Sequence, residues 1–161
     1  MQLQNPLWNF ALAVYAKPEV ENACLSLQSE YGCSINKILL SLWLTSEKKA
    51  FLSDQLDQSD SAVWHDQITQ PIRALRHRVR SDLKGVADEV YNAIRKAELE
   101  SERVEIAYLH QQSKDWPAET RSLQEALLSN LQKVIPNQAL DVKLISLFSS
   151  ALADHSEVGK G

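Results

Sequence analysis

INKILLSLWL, residues 35–44, is the stretch on which the fold turns. Wound as a helix, it is apolar on nearly every side, interrupted only by Asn36, Lys37 and Ser41. A helix without a polar face has nothing to offer water and must be enclosed by other elements. We therefore expect it at the centre of a helical protein. Ser34 stands where an N-cap is needed, and Gly32 stands where the preceding helix must end.

The same reading extends in both directions. Upstream, Asn5-Pro6 is a cap followed by a first-turn proline, and Leu7, Ala11 and Val14, with Trp8 and Tyr15, follow helical spacing until about Lys17. Pro18 opens a second helix, with Glu19 and Glu21 near its positive end and Val20, Cys24 and Leu27 on one face. Downstream, residues 45–61 are polar apart from Phe51, Leu52 and Leu56, which suggests a connector holding a short helix. Trp64, Ile68, Ile72, Leu75 and Val79 then resume the helical period. Pro71 lies within that run and predicts a kink or restart. Residues 86–108 form the longest predicted helix, with Val90, Ile94, Ala97, Ser101, Val104 and Tyr108 as its expected packing face. Trp116-Pro117 breaks it. Leu123, Leu127, Leu131 and Val134 mark the next helix, which Pro136 ends, and Leu140, Leu144, Leu147, Phe148 and Ala151 mark the last.

The totals agree with this pattern. The chain has 161 residues, 44% apolar and 24% charged, within the ordinary globular range and long enough to bury one core. Four glycines, five prolines and no Asn-Gly or Asp-Gly pair leave little support for hairpins. The expected fold is all-α: one domain over residues 1–154, a bundle of six to eight mostly antiparallel helices with short connections, followed by a disordered tail over 155–161. A net charge of -4 argues against indiscriminate binding to nucleic acid or anionic lipid. Cys24 and Cys33 lack the number and spacing of a disulfide framework or zinc ribbon and are expected to be reduced and structural. No leader pattern and no membrane-length apolar run is present, which points to the cytoplasm and to no membrane partner.

The run from Trp8 to Leu44 resembles the opening of a family of short proteobacterial proteins known only as a domain of unknown function. Trp8, Phe10, Ala11, Tyr15, Pro18, Val20, Cys24, Leu25, Gln28, Gly32, Asn36 and Leu42-Trp43-Leu44 carry the resemblance. A second block, from Pro71 through the arginines to Lys96 through Arg103, is also similar, whereas the C-terminal third is not. The resemblance implies a bacterial intracellular protein and brings no activity or cofactor.

Two charged helical faces are the most unusual feature. Arg73, Arg76 and Arg80 fall at helical spacing on one face, with His77, Arg78 and Lys84 nearby. Glu98, Glu102 and Glu105 share a face of the long helix, where like charges disfavour one another unless a cation compensates. In one reading these faces meet as an internal seam of arginine–carboxylate bonds. In the other, Arg73, Arg76, Arg78 and Arg80 form a site for an anionic partner, RNA or an acidic protein surface.

Against nucleic acid stand the acidic total and the absence of interleaved aromatics. Metal binding finds no Glu-x-x-His pair, and His65, His77 and His110 are isolated in sequence. No cofactor is expected. Nucleophilic catalysis finds no Gly-x-Ser-x-Gly elbow, phosphate loop or cysteine with basic neighbours. Of the tryptophans, Trp8, Trp43 and Trp64 lie within apolar stripes and are expected in the core. The first helix is apolar over more than one stripe, which makes Trp8, Phe10 and Leu12 a candidate partner surface.

Together these features favour a non-catalytic interaction or adaptor module that binds another protein or a second copy of itself. A nucleic-acid-associated regulator using the arginine helix is the alternative, and a small enzyme with an apolar pocket is a further one.

Overall fold

The computed structural model describes residues 1–82, 85 and 88–159, the side chains of 81 and 82 excepted. Lys84, read from sequence as part of the basic cluster, and Val86, at the expected start of the long helix, lie outside the described residues. Among the described residues the chain is all-α. Its helices are α1 (Pro6–Tyr15), α2 (Pro18–Tyr31), α3 (Ile35–Ser46), α4 (Asp60–Trp64), α5 (Gln70–Asp82), α6 (Asp88–Ser113), α7 (Leu123–Gln132) and α8 (Val142–Val158). Short 3-10 turns at Ser53–Gln55 and Asn137–Ala139 lie in the connections.

Helix α3 is the axis of the bundle. From Ile38 to Thr45 every residue is buried, and α1, α2, α6, α7 and α8 all pack on it. Its two buried hydroxyls are satisfied within the helix: Ser41 donates to the Ile38 carbonyl at 2.7 Å and Thr45 to the Ser41 carbonyl at 2.8 Å. Asn130 of α7 ties this helix to the chain that leaves it. Its amide nitrogen donates to Thr45 Oγ1 and to the Lys49 carbonyl, each at 3.0 Å, and its oxygen accepts from the Phe51 N–H at 3.0 Å. A buried amide with its partners supplied fixes position without an orphaned polar group.

The caps expected from sequence close α1 and α3. Asn5 accepts from the Trp8 N–H at 2.9 Å and Ser34 from the Lys37 N–H at 3.2 Å. Gly32 ends α2 at φ 67°, in the left-handed region where a side chain is strained. Helix α8 continues to Val158, four residues past the boundary expected at 154. The reason is visible at His155, whose ring packs edge-on against Phe10 with centroids 4.9 Å apart, while Lys17 reaches Asp154 at 2.9 Å.

The rod that begins at Asp60 shows how a proline acts inside a helix. Between α4 and α5 the chain makes a π turn, His65–Thr69, in which the Gln70 N–H bonds to the His65 carbonyl five residues back. Pro71 has no N–H to give and its ring crowds the carbonyl of residue 67, so the turn before it widens. The rod continues as α5 without breaking.

Helix α6 departs from the expected face. Its buried residues are Glu98, Ser101, Glu105, Ile106, Ala107, Leu109 and Ser113, and of the predicted stripe only Ser101 is among them. Val90 is 53% exposed. Apolar periodicity alone assumes that carboxylates face water, but here two arginines and a histidine from the opposite rod draw them inward. None of residues 70–80 is buried, and the first buried residue of α6 is Glu98. Helix α5 packs chiefly on α6, so the two form an arm that leaves the bundle.

Candidate functional site

The root of that arm faces α1, α2 and α3 across a cavity of about 320 Å³. Trp8, Leu12 and Tyr15 of α1 and Ile35 and Leu39 of α3 supply one wall; His65, Arg73, Leu99, Glu102, Glu105 and Ile106 supply the other. It merges into a wider groove of about 1090 Å³ that runs between α2 and the arm, where Leu25, Arg80, Arg95 and Lys96 are found. Tyr15, Glu21, Ile35, Arg73, Leu99 and Glu102 belong to both.

The polar side is built by three acids at helical spacing on α6 and the cations facing them. Arg73 donates from Nε to Glu98 Oε1 at 2.9 Å and from Nη2 to Glu102 Oε1 at 2.7 Å. Arg76 closes on Glu98 through Nε, and its Nη2 lies 3.4 Å from Oε1. Glu105 belongs to a different pair: its Oε2 lies 3.0 Å from His65 Nδ1, while His65 Nε2 lies 3.0 Å from Gln70 Nε2. The Gln70 amide donates to Nε2, which leaves Nδ1 to carry the proton toward Glu105.

These neighbours set the carboxyl groups apart. Burial works against the charge on Glu98, but the hydrogen bonds from Arg76 and Arg73 outweigh it and hold the group below the ordinary glutamate range. Glu102 goes the other way. Burial raises it, the charges of Glu98 and Glu105 add to the rise, and Arg73 offsets only part. Tyr15, opposite them, is pushed up to about 12 by burial and by the negative groups around it.

The sequence-derived candidates divide accordingly. Arg73 and Arg76 are bonded into the Glu98–Glu102 face and each retains some exposure at the groove. Arg78 and Arg80 are exposed on α5, and Arg80 lines the wide groove. The four arginines are therefore not one solvent-facing set. Trp8 is half-buried on the cavity wall with the Arg103 guanidinium 5.6 Å from its ring centre, and Leu12 is 51% exposed at the same wall. Phe10 corrects the proposed surface. It is only 3% exposed and packs into the core against α8, because α1 is covered on two sides, by α3 and by α8. Trp116, left out of the expected core set, is buried with Nε1 donating to Gln55 Oε1 at 2.9 Å. Trp64 is half-buried rather than enclosed. Cys24 and Cys33 are both buried and free.

His65, Tyr15 and Leu99 are the site residues that sequence reasoning missed. His65 looked isolated because its partner lies forty positions away on another rod; the expected irregularity before Pro71 was the one hint that its segment is special. Among the described residues, no group of three or more His, Cys, Asp or Glu side chains is placed to hold a metal ion, and no helix is long and apolar enough to cross a membrane.

A family model described as "Protein of unknown function (DUF2390)" matches residues 6–109. The chain belongs to that family. Every residue lining the cavity and the groove falls within the matched span, while α7 and α8 lie beyond it. No curated protein and no solved structure matches the chain.

Proposed function

We propose that this member of the family is a non-catalytic interaction module and that the cavity and its groove are the surface with which it recognises a partner protein. The observation that carries this reading is the placement of large apolar side chains in solvent on facing walls: Leu12 at 51% and Leu99 at 50% exposure, over a cavity that already holds Trp8, Leu39 and Ile106. Exposed apolar groups that converge on a concave, partly apolar pocket favour an occupant that covers them. The whole feature lies within the family span.

The ionisable groups favour binding over chemistry. Both ring nitrogens of His65 already have partners, and Arg73 is shared between two carboxylates. A general base needs a nitrogen or oxygen within reach of the proton it removes. The nucleic-acid alternative keeps Arg80, with Arg95 and Lys96 beside it in the groove, while Arg73 and Arg76 are engaged in the seam.

Affinity capture from the native host with the full chain as bait, at low and at moderate salt, tests the reading. A stoichiometric protein partner retained under both conditions is expected. Recovery of the bait alone contradicts it, and a nucleic acid lost steeply with added salt would favour the alternative, because released counterions set that slope.

A further inference from the structure

The cavity and groove occupy one side of the arm, and the opposite side is bare. On α6, Val90, Ala93 and Ala97 follow steps of three and four and are all exposed, Val90 at 53%. None of them lines the cavity or the groove. The same period continues to the half-buried Val104, so the stripe runs from the tip of the arm toward its root. Helix α5 adds Leu75, 45% exposed and also outside both spaces; two positions from Arg73, it points to the opposite side of its helix from the groove. Such spacing is that of a helix-bundle seam, and among the described residues nothing closes it. The flank of the stripe is charged in a definite order. Glu89 and Lys96 stand seven residues apart, each directly before a seam residue, and both are exposed. Among the described residues neither forms a hydrogen bond or an ion pair.

We propose that this face of α6 pairs with the same face of a second copy of the chain, the two helices running antiparallel about a two-fold axis that passes between residues 91 and 92. In that register Val90 of each copy meets Ala93 of the other, whose small side chain lets the backbones approach, and Glu89 of each copy meets Lys96 of the other. An antiparallel pair brings the same flank of both helices together. One acid and one base a heptad apart therefore satisfy each other twice across the two-fold. A parallel pair sets Glu89 against Ile94 and Lys96 against Ser101 and matches no charge. The flank is thus complementary to itself, which selects a second copy over a foreign helix. The contact uses no residue that lines the cavity, so it leaves the cavity open and is independent of the interaction reading above.

Sedimentation equilibrium of the purified full chain at low salt, up to about 1 mM, measures the pairing. A monomer–dimer equilibrium is expected, weakened at least about tenfold by Val90→Asp, which places a charge in the seam. A charge swap reads the register. Glu89→Lys and Lys96→Glu should each weaken the dimer by about tenfold, because each turns two attractive pairs into repulsive ones. The double variant Glu89→Lys/Lys96→Glu restores opposite charges and should return to within about threefold of the wild type. Residues 89, 90 and 96 are all exposed, so the monomer fold tolerates these changes. Leu12→Asp/Leu99→Asp, which alters the cavity, should self-associate as the wild type does. A chain that stays monomeric throughout this range, or a double swap no better than the single variants, overturns the proposal. Loss of the dimer in Leu12→Asp/Leu99→Asp would place self-association at the cavity and overturn it equally, whereas a dimer that captures no partner would leave this pairing standing and remove the interaction reading.

Discussion

Glu98 shows how far one side chain can be worked by its neighbours. It lies almost out of solvent, yet it keeps its charge because Arg73 and Arg76 approach it from the facing helix. Removing one partner of such a group leaves the rest uncompensated, so Glu98→Gln is expected to lower stability by about 2 kcal/mol, less than for a fully enclosed pair because both arginines retain some exposure. The pH dependence has a definite sign. A carboxyl held below its unfolded value contributes stability that is complete above that value and is lost as pH falls through the folded one. Glu102 is raised, so its contribution is largest at low pH and declines as pH rises through its folded value. On the acid side Glu98 therefore takes stability away while Glu102 returns some of it, so in urea unfolding Glu98→Gln should lose less stability on acidification than the wild type. A variant as acid-sensitive as the wild type would show that Glu98 does not carry it.

At the scale of elements, the irregular rod and the face it presents to α6 depend on one small cluster. Thr69 and Ser101 hydroxyls meet at 2.7 Å, and Trp64 Nε1 donates to the Ser101 carbonyl at 3.0 Å. Thr69 and Ser101 are both buried, so Ser101→Ala orphans a hydroxyl and is expected to cost about 1–2 kcal/mol. Thr69→Val should cost a similar amount. The double variant should cost less than the sum of the two by about 1 kcal/mol, since neither hydroxyl is then left alone. Strict additivity in a urea-denaturation cycle would count against the contact.

How much of this was legible follows from what each element buries. In α1, α2 and α3 the apolar period names residues that are buried, among them Val14, Cys24 and Leu40, and in α8 it names Phe148 and Ala151 correctly while Leu144 and Leu147 are only partly covered. Helix α7 follows in part, since Leu127 and Leu131 are enclosed while Leu123 is half in solvent. In α6 the same rule pointed at the wrong face, because the interior there is ionic and hydroxylic, and a pattern of apolar residues cannot see it. Pro71 announced an irregularity without saying that it would be a π turn. The equal spacing of Glu98, Glu102 and Glu105 announced a shared face. That two of them take arginines and the third a histidine is set by how the rods pack, which the spacing does not contain.

For the whole molecule, the organising fact is a bundle wrapped on α3 with an arm that buries little of its own. The α5–α6 arm and the α1–α3 layer enclose a space lined by both apolar and charged side chains. A fold that only needed to be stable would gain by covering Leu12 and Leu99, each worth about 1 kcal/mol or more of transfer free energy when enclosed. Their exposure on facing walls is the reason for reading the space as a place of recognition. Capture of the partner by wild type and by the double variant Leu12→Asp/Leu99→Asp, with helical content compared by circular dichroism, tests this most directly. The account predicts an intact fold that no longer retains the partner; retention of the same partner at wild-type level would contradict it.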